Sequence, residues 1–254
     1  MPTVKDIYDV IDDFAPFRTQ ESWDNSGFLV GDPDQEVRTI ALALDVTMDT
    51  LAQAKEAGAE LLVSHHPVIF HPLKNVRKGT PVYYAIENGI SIISAHTCWD
   101  VAQGGVSDVL ARLLGLRNIQ EIVPNEDGIC MLRCGKLAKP VPAEEFAEIV
   151  AETLHTVVRV SEPLEKIQTV AVCGGAGCSF LPDLAAHGDI DAFVTGDAKH
   201  NDFLDAIDDH IVLLAAGHYE TETVSMPVLR EHLKHDFPDL NYIYLKSEPA
   251  AYIG

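Results

Sequence analysis

Short apolar runs of about four to eight residues alternate along this chain with segments of helical periodicity, and that alternation restricts the fold more than any single residue does. TIALALDV (39–46), ELLVSHH (60–66) and SIISAH (91–96) read as strands. Between them, LAQAKEAGA (51–59) and PVYYAIENG (81–89) read as helices closed near Gly58 and Gly89. A β-α-β-α-β order of this kind predicts a parallel or mixed sheet covered by helices. The opening MPTVKDIYDVIDDF reads as a helix with Thr3 as N-cap, Asp6 in the place of a capping-box Glu, and Ile7, Val10, Ile11 and Phe14 on one face. SDVLARLLG (107–115) adds a further helix.

Beyond about residue 124 the texture changes. ICMLRCGKL (129–137) reads as a strand, PAEEFAEIVAETL (142–154) as a helix, TVVRVSE (156–162) as a strand, and KIQTVAVCGGAG (166–177) as a strand running into glycines. HGDIDAFVTGD (187–197) and HNDFLDAIDD (200–209) add a strand and a helix before IVLLAAGH (211–218). The last of these reads as the return to the first lobe, because its terminal His resembles the histidines that follow ELLVS and SIISA. A helix begun by Ser225, with Pro227 in its first turn, and the strand NYIYLK (241–246) complete the pattern. With 254 residues and 47% hydrophobic content, two modest lobes are expected. Residues 1–124 with 213–254 would form a lobe carrying the functional residues, and 125–212 a second α/β lobe. The expected class is therefore α/β with some α+β character: two lobes, mixed sheets covered by helices, and a site in the cleft between them.

The 39 acidic and 18 basic side chains give a formal charge of -21, which opposes an extended footprint on a phosphate backbone and so disfavours nucleic-acid binding. A small phosphorylated ligand stays compatible, because bound divalent cations would offset local acidity. No run of about 18 or more apolar residues occurs and the opening is not leader-like, so no membrane partner and a cytoplasmic location are expected. The five cysteines contain no CxxC pair and read as reduced thiols.

Three of the predicted strands end in the same chemistry. LLVS runs into His65 and His66, SIIS into Ala95 and His96 and on to Asp100, and VLLAAG into His218. Functional groups in open α/β sheets gather beyond the carboxyl ends of strands, where loops vary while the sheet holds them still. One such His is ordinarily structural; three together point to a metal or acid/base site. Adjacent His65 and His66, at a strand exit, can turn toward different ions. His218 and Glu222 are four apart and share a face if GHYETE starts a helix, and Glu222 is long enough to bridge two cations. Read alone, that pair is also a helix-surface pair, and Asp100 an N-cap or Asx-turn residue. Three imidazoles and two carboxylates suit Zn, Mn, Fe, Co or Ni without choosing among them. His96 could touch a metal, hold a carboxylate or move protons, and His200 could shuttle protons near neutral pH. Trp23 and Asp24 could buttress the cleft, though Trp23 reads more simply as a core anchor.

SHHP (64–67), HTCWD (96–100) and GHYETE (217–222), in that order, resemble the motifs of the GTP cyclohydrolase 1 type 2 family, also called the interacting-factor-three-like dinuclear metal family. WDNSG (23–27), GGAG (174–177) and TGDAKH (195–200) extend the resemblance over essentially the whole chain. The resemblance implies two divalent metal ions held by His65, His66, Asp100, His218 and a bridging Glu222, and it places Asp197 and His200 on the cleft wall. With His96, those two are the candidate catalytic residues. It also implies a toroidal homohexamer with cavity-facing sites. Cys98 stands where the family often has Asn, and a thiol does not reproduce the donors of an amide. The expected function is a metal-dependent hydrolase of a small nucleotide-like or phosphorylated metabolite; the alternative is a noncatalytic metal-binding or regulatory protein.

Overall fold

The structure, a computed structural model, describes residues 1–161 and 166–247. The end of the run 156–162 and the last residues of the 213–254 segment lie outside the described residues. In chain order the first elements are α1 (Val4–Phe14), β1 (Gly27–Val30), β2 (Thr39–Ala43), α2 (Met48–Glu56), β3 (Leu61–Ser64), α3 (Pro81–Glu87), β4 (Ser91–Ser94) and α4 (Thr97–Val101). There follow α5 (Val106–Leu113), β5 (Arg117–Ile122), β6 (Leu132–Val141), α6 (Ala143–Leu154), β7 (Arg159–Val160), β8 (Ile167–Val172) and α7 (Leu181–His187). The chain continues through β9 (Ala192–Thr195), α8 (His200–Asp208), β10 (Val212–Ala215), α9 (His218–Thr223), α10 (Met226–Asp236) and β11 (Asn241–Tyr244).

Two compact units result, each mixed α/β. The first comprises Met1–Gln103 and the described residues from Met226 onward. Its five-stranded sheet has the order β1-β4-β3-β2-β11, with β4, β3, β2 and β11 parallel and β1 antiparallel at one edge. Every residue of β3 and β4 is buried, so neither strand alternates apolar with polar: aliphatic side chains fill their centres and small serines, Ser64, Ser91 and Ser94, stand at their ends. On one face Ala41, Leu62 and Ile92 pack with Leu51 and Ala54 of α2 and Val82 and Ala85 of α3. Thr3 closes the capping box of α1 as expected, with its hydroxyl accepting from the Asp6 N–H and Asp6 accepting from the Thr3 N–H. The register pairs Ser64 with Ser94, and their hydroxyls are hydrogen-bonded at 2.7 Å. The two chain segments that leave β3 and β4 therefore start side by side at one sheet edge, which places His65, His66 and His96 together.

The second unit is Gly104–Ser225, with a six-stranded sheet in the order β5-β6-β8-β9-β10-β7. Here β8, β9 and β10 are parallel, while β5, β6 and β7 pair antiparallel. Phe146, Val150 and Leu154 of α6 and Leu110 of α5 cover one face against Val170, Val172, Val194 and Leu214. Leu181 and Leu184 of α7 and Ala206 of α8 cover the other against Ala171, Phe193 and Leu213. Buried Arg133 on β6 donates from Nε to Asp108 Oδ1 of α5 at 2.7 Å and from a terminal nitrogen to the Cys130 carbonyl at 2.8 Å, so the charge is spent within the unit.

The division corrects the expected boundaries of 124 and 213. β10 pairs in parallel with β9, residue by residue from Val212–Ala192 to Ala215–Thr195, so IVLLAAGH is a strand of the second sheet and the chain returns to the first unit only at Met226. Residues 104–124 likewise belong to the second unit, where α5 packs and β5 pairs with β6. A terminal histidine says what a strand carries, not which backbone it bonds to. The short helix α4, β5 and α7 appear in stretches to which the sequence assigned no element.

Candidate metal centre

In the first unit, His65, His66 and His96 each offer one ring nitrogen, and these atoms lie within 4.8 Å of one another. Each of the three rings is fixed through its Nδ1. His65 Nδ1 is 2.9 Å from the Ala95 carbonyl oxygen, which can only accept, so Nδ1 carries the proton. His66 Nδ1 is 2.7 Å from Asp45 Oδ1, and His96 Nδ1 is 2.7 Å from Asp24 Oδ1. Acceptors on all three Nδ1 atoms leave the Nε2 lone pairs as the metal-facing donors, the outer-shell arrangement that metal-ligating imidazoles almost always show.

Asp24 does more than hold one ring. Its second oxygen accepts from the Thr97 N–H and hydroxyl and from the Ser26 hydroxyl. Burial opposes its ionisation, but the His96 hydrogen bond and charge, with Thr97 and Ser26, outweigh that and hold the carboxyl well below the usual carboxylate range. Asp24 is thus a fixed negative charge behind His96. Trp23 does not match its core-anchor reading: it is exposed, with its ring against Phe70 and His96. Asp100, on α4, is buried with Oδ1 3.6 Å from His65 Nε2. At that separation the two atoms face each other beyond hydrogen-bond distance.

Cys98, on α4 between His96 and Asp100, is fully buried, and burial pushes its thiol up to about 12; the groups of described residues able to hold a metal consist of His, Asp and Glu. The donor set is nitrogen and oxygen only.

The second unit carries its own part of the proposed ligand set. Gly217, at φ 90°, turns the chain after β10 so that His218 opens α9 and Glu222 follows one turn later. His218 Nδ1 is 2.7 Å from Asp197 Oδ2, and its Nε2 is 3.1 Å from Glu222 Oε1. The Glu222 hydrogen bond, helped by Asp197 and opposed by burial, raises the His218 pKa to about 9. The site binds a proton tightly for the same reason that it suits a metal cation. Gly175, after β8 at φ +63°, makes room for the carboxylate: a Cβ there would lie 2.1 Å from Glu222 Oε1 and 3.2 Å from His218 Nε2. The GGAG run thus serves to admit a carboxylate at close quarters, a use its glycine spacing does not reveal.

Asp197 is exposed and holds the His218 ring, so it orients a candidate ligand residue. His200 is the exposed first residue of α8. Asp45, which the sequence reading did not select, lies two residues past the end of β2, beside the exit of β3 that carries His66; its position after a strand was the available signal.

Taken together, the chain is an α/β protein with His, Asp and Glu groups able to bind metal ions through nitrogen and oxygen donors. It belongs to the Duf34/NIF3 (NGG1p interacting factor 3) family, whose pattern it matches over residues 2–250. A Streptomyces coelicolor protein called GTP cyclohydrolase 1 type 2 homolog is 36% identical over 235 residues, 87% of this chain and 82% of that one. The fold is similar to a Staphylococcus aureus hypothetical protein at TM-score 0.90 and 27% identity, covering 99% of both chains. It is also similar to reduced HcgD from Methanocaldococcus jannaschii at TM-score 0.84 and 30% identity, covering 97% of this chain and 98% of that one.

Proposed function

We propose that His65, His66, Asp100, His218 and Glu222 hold two divalent metal ions, with Glu222 bridging, and that the protein hydrolyses a small nucleotide-like or phosphorylated metabolite. The observation that carries this reading is the common treatment of four imidazoles: His65, His66, His96 and His218 each have Nδ1 against an oxygen acceptor, which commits Nε2 to an electrophile. Divalent ions held there would supply positive charge and the Lewis acidity that draws the pKa of water toward neutrality. The chain's own part is to fix the donors: Asp45 and Asp24 hold His66 and His96, Asp197 holds His218, and Gly175 admits the Glu222 carboxylate. His96 adds an imidazole beside His65 and His66 whose Nε2 can accept or deliver a proton. His200, outside the ligand set, is assigned the proton transfer to the leaving group.

The test is metal quantitation of the purified protein followed by a broad metabolite-turnover screen. For a substrate found in this way, His200→Ala should retain the wild-type metal content while turnover falls by about 10²-fold, the usual scale of a lost general acid. Unchanged turnover at matched metal content removes His200 from the chemistry. Tight metabolite binding with no turnover of any compound would favour the noncatalytic, ligand-holding function instead. The family resemblance also leads us to propose a homohexamer. Light scattering over a range of concentrations should report about six chains, and a monomer throughout would end that part of the proposal.

A further inference from the structure

Trp23 and Phe70 are large apolar side chains left 54% and 40% exposed, whereas Trp99, the other indole of the chain, is fully buried. Their ring centroids are 5.8 Å apart and the planes are tilted by 39°. Both rings also approach His96, Trp23 at 5.9 Å and Phe70 at 6.2 Å, each close to edge-on. Since His96 belongs to the imidazole cluster, this exposed aromatic surface is continuous with the candidate metal centre.

The surface is also held still. Asp24, next to Trp23, is bonded to His96, Thr97 and Ser26, and the Glu21 N–H donates to the Thr97 hydroxyl at 2.9 Å. Asn25 Nδ2 donates to the Ile69 carbonyl at 2.6 Å, which ties the segment carrying Trp23 to the one carrying Phe70. Two aromatic rings exposed to water and fixed by a buried polar network form a preorganised face, and what such a face accepts best is another flat π-system. Charge points the same way. On a chain of net charge -21, stacking of a neutral ring is not opposed electrostatically, whereas an anionic group is drawn in only where cations are bound.

We propose that Trp23 and Phe70 form a stacking subsite for the planar heteroaromatic ring of the substrate, of the nucleobase class, which leaves the substrate's polar remainder toward the imidazole cluster. The assignment of that ring to a substrate rests on the hydrolase reading above. The subsite itself is testable without turnover.

The experiment titrates the full-length, metal-loaded protein with adenosine, and separately with ribose, following tryptophan emission excited at the red edge of indole absorption, with equilibrium dialysis as a second readout. Adenosine should quench saturably and ribose should not. Trp23→Ala should weaken adenosine binding by about tenfold, the usual scale for one lost stacking partner, and Trp23→Phe should restore most of it. Phe70→Ala should weaken binding to a similar extent, and metal content should be unchanged in all three variants, because neither side chain is a proposed ligand. Adenosine binding no tighter than that of ribose, or equal binding by wild type and the Trp23→Ala, Phe70→Ala double variant, would overturn the subsite. So would a Trp23 emission already shielded from acrylamide in the ligand-free protein, since a second copy of the chain would then cover the ring. Failure of the hydrolase reading looks different: adenosine binds and responds to Trp23, yet no metabolite turns over.

Discussion

Gly175→Ala should leave the fold in place and strip the second unit's metal-ligand pair of its geometry. The alanine itself is tolerable: at φ +63° an L-residue costs about 1–2 kcal/mol, which a folded unit of this size absorbs. The damage falls on Glu222. The new Cβ would stand 2.1 Å from Oε1, 3.1 Å from the carboxylate carbon and 3.2 Å from His218 Nε2. Glu222 is buried near the end of α9 and His218 is held by Asp197, so the carboxylate must rotate out of its place rather than yield slightly. With Glu222 a metal ligand, as proposed, its displacement should exceed the effect of losing an outer-shell partner, and metal affinity should fall by more than about 100-fold. Circular dichroism should show a native spectrum while metal quantitation after gentle washing shows a deficit. Full metal occupancy in Gly175→Ala would reject the assignment of Glu222 as a ligand.

Asp100→Ala should abolish metal binding and any turnover together. The carboxylate is buried with Oδ1 3.6 Å from His65 Nε2, and it brings negative charge close to His65. Its removal takes away both a donor atom and the charge that compensates a divalent ion. A loss of about 10³-fold or more in affinity is expected, beyond what outer-shell changes produce. Asp100→Asn is the informative companion, because it keeps the shape and one oxygen while removing the charge, and it should recover only a fraction of the loss. Equilibrium dialysis against a chelator of known affinity measures both. Turnover that disappears while metal stays at the wild-type level would give Asp100 a role in chemistry and not in binding. The converse result, wild-type activity at low metal content, would remove metal from the mechanism.

Much of the local architecture is legible in the residues. Thr3 and Asp6 specify the α1 cap by reciprocal hydrogen bonds that need only four consecutive residues. The strands TIALA, LLVS, SIIS and VLLA are buried almost throughout, and their short aliphatic cores, broken only by small hydroxyl residues and lacking polar alternation, are a one-dimensional record of that. β5 escaped notice because RNIQEI is largely exposed and charged, with Ile122 its single buried residue, so nothing in its composition distinguishes it from a loop. α4 escaped because five residues cannot show a helical period.

For the site, the histidines and acids that carry chemistry stand out in sequence, since donor type and position after a strand are local properties. Their partners do not. Asp24 and His96 are 72 residues apart, Asp45 and His66 21 apart, and Asp197 and His218 21 apart. Each pairing depends on which strands lie next to each other.

What the sequence by itself determined is therefore the mixed α/β class and which His, Asp and Glu residues are candidates for a nitrogen and oxygen centre, both of which follow from periodicity, capping and side-chain chemistry. Tertiary structure alone decided that the strand before His218 belongs to the second sheet, that Gly175 makes room for a carboxylate and that Trp23 faces water beside His96 and not the core. The physical reason is that a backbone hydrogen bond between strands is nearly blind to side-chain identity. Which strands become neighbours is settled by the packing of whole helical layers against the sheet, and with it which loops, glycines and rings meet.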